Sequence, residues 1–211
     1  MISKLHYISQ GNTPQEHLEN IYRMCSAGAN WIQLRLKNES FGTVLKTAKA
    51  AKEICDNFKV KLIINDFPEV VRQMDACGVH LGKEDSCPLE ARKLLGSKKI
   101  IGGTANTLKD CQILIQKQVD YVGLGPFRFT TTKKNLSPVL GVEGYPELMG
   151  NLLQSGSTVP VIAIGGIMPA DIPALVHCGV HGVAISGGLT SHRQPEKMFQ
   201  EIFNQFSEIQ L

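Results

Sequence analysis

Short apolar runs alternate with longer stretches in which apolar residues recur at helical spacing, and the alternation persists from one end of the chain to the other. The runs at 5–9, 31–36, 60–65, 78–82, 99–103, 119–124, 159–164 and 182–185 are expected to be strands. Between them the periodicity predicts helices. Thr13-Pro14 reads as an N-cap followed by proline at the first helical position, continued by Leu18, Ile21, Tyr22 and Cys25 and stopped by Gly28. Further helices are expected over 41–58, through Val70, Val71 and Met74, and over 88–95, 107–116, 142–154, 169–177 and 195–206. Apolar strands, each followed by a helix, suit a parallel sheet covered by helices, and eight such units close into a (β/α)8 TIM barrel. An open doubly wound sheet is the alternative. The first strand is followed by no G-x-G-x-x-G, which removes that alternative's usual nucleotide fingerprint.

Composition narrows this further. With 211 residues, 43% hydrophobic and 19% charged, the chain is long enough for a sizeable core, and one domain spanning 1–211 is expected. The net charge of +3 is small and both signs are interspersed, so nucleic acid is not an expected partner. Apolar runs of strand length argue against a membrane span, and M-I-S-K-L-H-Y-I-S lacks the apolar core of a signal peptide. A cytoplasmic protein is expected. Its six cysteines stand singly with no C-x-x-C pair, as reduced structural thiols would.

In a barrel, chemistry gathers where strands end. Those positions hold Gln33, Arg35 and Lys37, then Asn65 and Asp66, then Glu84 and Asp85, then Thr104 and Asn106. After Gly125-Pro126 comes a loop with Thr130, Thr131, Thr132, Lys133 and Lys134, an inventory suited to phosphate oxygens, though a solvated polar loop would read alike. Gly165-Gly166 and Ser186-Gly187-Gly188 follow the seventh and eighth strands, where barrels bind phosphate through backbone N–H groups. Arg35, Lys37 and Lys133 imply a second, more highly charged anion. Asp66 and Asp85 could hold Mg²⁺ against that anion, since Mg²⁺ takes one or two carboxylates plus phosphate oxygens and water. As single residues they read equally as helix caps or surface charges.

As a set, Q-L-R-L-K (33–37), I-N-D (64–66), G-V-H-L-G-K-E-D (78–85), G-G-T-A-N-T (102–107), G-P-F-R-F-T-T-T-K (125–133), I-G-G-I (164–167) and the final I-S resemble the thiamine phosphate synthase family. The match runs in order over nearly the whole chain. The resemblance implies a TIM-barrel transferase that joins a pyrimidine methyl diphosphate to a thiazole phosphate, or to its carboxylated form with loss of CO₂. The products are thiamine phosphate and pyrophosphate. It further implies one Mg²⁺ per subunit on Asp66 and Asp85. The pyrimidine diphosphate would lie on Gln33, Leu34, Arg35, Leu36, Lys37, Asn65, Thr104 and Lys133, with Arg35, Lys37, Lys133 and Thr104 serving catalysis. The thiazole phosphate would lie on Thr130, Thr131, Thr132, Gly166, Ile185 and Ser186. A dissociative route needs electrostatic stabilisation of a leaving diphosphate and no nucleophile.

Thr104 and Asn106 stand where the family often has serine and histidine, and Phe129 where it often has proline or alanine. A related thiazole tautomerase uses a histidine near Asn106 and does without the full metal set. A sugar-phosphate isomerase or aldolase would need only the glycine site, and a silent phosphate-binding protein would differ in turnover alone. His80, inside a strand, reads as a structural histidine. The sequence leaves the oligomeric state open, with a homodimer carried as the expectation.

Overall fold

The computed structural model describes residues 1–129 and 138–208. Thr130, Thr131, Thr132 and Lys133 lie outside the described residues, as does most of the 127–140 loop that could act as a lid. Eight parallel strands form a closed barrel: β1 (Leu5–Ile8), β2 (Trp31–Leu34), β3 (Lys61–Asn65), β4 (Gly78–Leu81), β5 (Ile100–Ala105), β6 (Tyr121–Leu124), β7 (Val161–Ile164) and β8 (Gly182–Ile185). Each pairs with the next, and β8 closes on β1 through the Leu5–Val183, His6–Ala184 and Tyr7–Ile185 register. The open-sheet alternative is thereby excluded.

The helices are α1 (Pro14–Ser26), α2 (Phe41–Asn57), α3 (Pro68–Met74), α4 (Pro88–Leu95), α5 (Leu108–Gln116), α6 (Gly144–Gln154), α7 (Ile172–His177), α8 (Gly187–Thr190) and α9 (Pro195–Glu208). Their starts follow local chemistry. The Thr13 hydroxyl accepts the Glu16 N–H at 3.2 Å, with Pro14 opening α1, and the Ser40 hydroxyl accepts the Thr43 N–H at 3.1 Å at the start of α2. On α1 the buried set is His17, Ile21, Met24 and Cys25, and on α2 it is Val44, Thr47, Ala48, Ala51 and Cys55, each a single helical stripe.

Two apolar layers result from the alternation of side chains along each strand. Outward residues such as Ile32, Leu34, Leu62, Ile64, Val79, Leu81, Val122 and Val183 join the helix stripes in one core. Inward residues Trp31, Ile63, Tyr121, Ile162 and Ala184 fill the barrel. Gly102 and Gly123 make that filling possible: a Cβ on Gly102 would lie 2.1 Å from the Tyr121 ring, and one on Gly123 would lie 3.0 Å from the His80 ring. Burying a Trp or Tyr against such close neighbours contributes roughly 2–3 kcal/mol each by area.

Differences from the expected elements are local. The 169–177 helix divides into a 3₁₀ turn (Pro169–Asp171) and α7, because Pro173 enters the first turn without an N–H to give. Helix α8, four residues beginning with two glycines, carries no readable periodicity and was not expected. Asp66 is not the cap of α3: Phe67 occupies that position and makes no side-chain cap bond.

Candidate active site

The C-terminal ends of the strands enclose a cavity of about 220 Å³. Gln33, Arg35, Lys37, Asn65, Asp66, Asp85, Thr104, Gly166 and Ser186, picked from sequence at strand ends, line it, as does Ile185, which the family resemblance implied. Leu34 and Leu36 do not. Their side chains alternate to the outer face and pack in the core beneath the helices, so only their backbone could meet a ligand.

At the β2–β4 side of the mouth the charges are dense. Lys37 Nζ forms an ion pair with Asp66, whose side chain retains 13% of its exposure. Asp85 lies beside Asp66. Burial, reinforced by Asp85 and opposed by Lys37, pushes the Asp66 carboxyl up to about 6. Asp85 is anchored from below, its Oδ2 accepting the Gly82 N–H at 2.6 Å. Burial lowers the Arg35 guanidinium from its usual value, partly offset by the Asp66 and Asp85 carboxylates. The Arg35 N–H donates to Ser9 Oγ at 3.2 Å, and that hydroxyl lies 2.8 Å from His17 Nδ1, so the exit of β2 is tied to β1 and α1.

The floor is a polar chain across the barrel. Tyr121 lies beside Gln33, and its hydroxyl lies 2.9 Å from His80 Nδ1. His80 Nε2 lies 3.0 Å from Thr104 Oγ1. Both ring nitrogens of His80 are thus engaged, in keeping with its expected structural role. Burial raises the Tyr121 hydroxyl well above the usual phenol range, so it stays protonated. Asn65 is 6% exposed and its Nδ2 has no partner among the described residues, a buried donor left for a ligand. Asn106 donates its amide to the Gly125 carbonyl, bridging β5 and β6.

Across the mouth, Gly165 and Gly166 follow β7 with φ of 89° and 71°, a left-handed turn that side-chain-bearing residues rarely adopt. Ser186 Oγ donates to Gln10 Oε1 at 3.3 Å. Ile8, His80, Pro126, Ile164 and Ile167 also line the cavity and were not picked from sequence as site residues. Ile8, His80 and Ile164 belong to the inward phase of β1, β4 and β7, whereas Pro126 and Ile167 lie in the loops after β6 and β7.

Among the described residues no group of three or more His, Cys, Asp or Glu side chains could by itself hold a metal ion. The Asp66–Asp85 pair fits a cation that takes two carboxylates and completes its shell from water and a phosphorylated ligand. No described helix is long and apolar enough to cross a membrane.

Comparison with known proteins places the chain in a family. Residues 5–189 match the family profile described as thiamine monophosphate synthase. The thiamine-phosphate synthase of Flavobacterium johnsoniae is 44% identical over 96% of this chain and 95% of its own, and that of Bacteroides fragilis is 42% identical over 95% and 98%. The structure of a thiamine phosphate pyrophosphorylase from Pyrococcus furiosus superposes with a TM-score of 0.82 at 24% identity, covering 98% of this chain and 96% of that one, and so shares the fold. With the profile spanning most of the barrel and relatives matching end to end, the chain belongs to the thiamine monophosphate synthase family of transferases.

Proposed function

We propose that the protein couples 4-amino-2-methyl-5-(diphosphooxymethyl)pyrimidine to 4-methyl-5-(2-phosphooxyethyl)thiazole, or to its 2-carboxy form with loss of CO₂, giving thiamine phosphate and pyrophosphate. The observation that carries the reading is the paired Asp66 and Asp85 beside Arg35 and Lys37, facing a glycine turn across one cavity. Two carboxylates held together above two cations suit a metal-bound diphosphate. The glycine side suits a monophosphate.

In this reading Asp66 and Asp85 hold one Mg²⁺, which when bound supplies positive charge to the diphosphate oxygens. Lys37, released from Asp66, and Arg35 stabilise the leaving diphosphate, with Lys133 assigned the same role from sequence. Thr104, whose oxygen faces His80 Nε2, can accept from that ring and turn its own hydroxyl proton toward the diphosphate. Asn65 offers its unpartnered Nδ2 to the same group, and Gln33 on the floor faces the pyrimidine. The pyrimidine methylene C–O bond breaks, its electron pair leaving with pyrophosphate, and the thiazole nitrogen lone pair forms the new C–N bond. Gly166, Ile185 and Ser186, with Thr130, Thr131 and Thr132, hold the thiazole phosphate in line. The six free cysteines suit a reducing compartment, and a cytoplasmic location belongs to the same proposal.

The test is pyrophosphate release by the purified protein given both substrates, with Mg²⁺ and then with EDTA. Release that needs both substrates and the metal supports the reading. Release unaffected by EDTA removes the metal assignment, and no release with either thiazole form removes the reaction.

A further inference from the structure

The loop after β6 is stitched onto the turn after β7. The Phe127 and Arg128 N–H groups donate to the Ile164 and Gly165 carbonyls, both at 2.9 Å. The Arg128 side chain then grips the turn from outside: Nη1 donates to the Gly166 carbonyl at 3.1 Å, and both Nη1 and Nη2 engage Asp171, the latter at 2.6 Å. Asp171 Oδ2 also accepts the Met168 N–H at 2.8 Å. The 166–168 backbone is therefore held at both ends by one ion pair. The fit is close, since a Cβ on Gly166 would lie 2.7 Å from Arg128 Cβ.

In a trans peptide the carbonyl and the N–H point in opposite directions. With the Gly166 carbonyl drawn out toward Arg128, the Ile167 N–H faces away from it. Ile167 is buried and lines the cavity, and among the described residues the Gly166 and Ile167 N–H groups donate to no acceptor. The Arg128 charge itself is already matched by Asp171.

We infer that Arg128 and Asp171 are positioning residues for the monophosphate: the pair fixes the Gly166–Ile167 peptide so that its N–H is presented to the phosphate, and Arg128 acts through the backbone. The inference rests on the assignment of that turn to the thiazole phosphate. A fixed peptide donor loses no reorganisation when the anion arrives. A loosened one does.

Steady-state kinetics of Arg128→Gln, Arg128→Lys and Asp171→Asn, with each substrate varied in turn and melting temperatures recorded, test it. Arg128→Gln and Asp171→Asn should each raise KM for the thiazole phosphate about tenfold, the loss of one well-placed donor, while KM for the pyrimidine diphosphate moves less than about twofold. Arg128→Lys, which keeps the charge and loses the planar fork, should fall between. Asp171→Asn decides between mechanisms. It frees the guanidinium charge, so an unchanged or lowered KM would mean that Arg128 binds phosphate directly and would overturn the inference. Equal shifts in both KM values, or a lowered melting temperature with neither moved, would also overturn it. If the wild type forms no thiamine phosphate, the synthase reading falls, and calorimetric titration with the thiazole phosphate alone still reads the pair: tenfold weaker binding by Asp171→Asn upholds it, while equal binding, or none by the wild type, refutes it.

Discussion

Asp66 is a residue whose buried charge works against folding near neutral pH. Its carboxyl is raised to about 6 by burial and by Asp85, so the folded chain takes up a proton there more readily than the unfolded chain. A raised acid contributes more stability as pH falls from about 6 toward 4 and is least favourable above 6. Metal-free Asp66→Asn should accordingly melt higher than wild type at pH 7.5, with the gap closing toward pH 4. Thermal unfolding in EDTA at the two pH values checks this, and a lower melting temperature for the variant at pH 7.5 would refute it. Addition of Mg²⁺ should then raise the melting temperature of wild type and leave the variant unmoved.

At the scale of elements, the loops at the barrel mouth are held by caps that reach beyond their own helices. Thr107 and Asp110 form a capping box at the start of α5, in which Thr107 Oγ1 accepts the Asp110 N–H at 3.1 Å. The Asp110 carboxylate accepts the Asn106 and Thr107 N–H groups, each at 3.0 Å, and also meets Lys83 at 2.7 Å, from the β4 loop that carries Asp85. Thr107→Ala should cost about 1 kcal/mol, the usual worth of an N-cap. Asp110→Ala, which orphans two N–H groups and a lysine, should cost more. Urea unfolding of both variants checks the ranking, and equal losses would show that the Lys83 contact and the second N–H contribute nothing. The sequence placed Thr107 inside the expected 107–116 helix and did not mark it as a cap. It gave no sign of the tie to Lys83, which depends on β4 and β5 being neighbours.

For the molecule as a whole, the barrel interior contributes an acid response opposite in sign to that of Asp66. His6 is buried against Trp31 and Tyr121, with ring centroids 5.4 and 6.0 Å away, and its Nε2 has no partner among the described residues. Burial, followed by the nearby His80, pushes its pKa well below the ordinary 6.5. The unfolded chain therefore takes up a proton that the folded barrel refuses. Stability is fully present above about 6.5 and falls as pH drops below it, by up to about 1.4 kcal/mol per pH unit. His6→Met should flatten that part of the profile, measured by urea unfolding at pH 7, 6 and 5. A variant with the wild-type slope would place the effect elsewhere.

Much was fixed by the sequence alone. Strand and helix order, the TIM barrel and most of the polar residues that line the strand-end cavity follow from local rules: period-two and helical spacing, prolines and caps at helix starts, and polar residues or glycines where apolar runs stop. Those signals sit within a few residues of what they determine. Tertiary structure decided what depends on partners distant in the chain. It turned Leu34 and Leu36 into the outer core, made Asp66 a partner of Lys37 and Asp85 and not a cap, and seated Tyr121 and His80 against Gly102 and Gly123. It also joined Arg128 to Asp171 across two loops. Charge pairing, burial and steric fit act through space, and barrel closure brings those residues together only after every strand is in register.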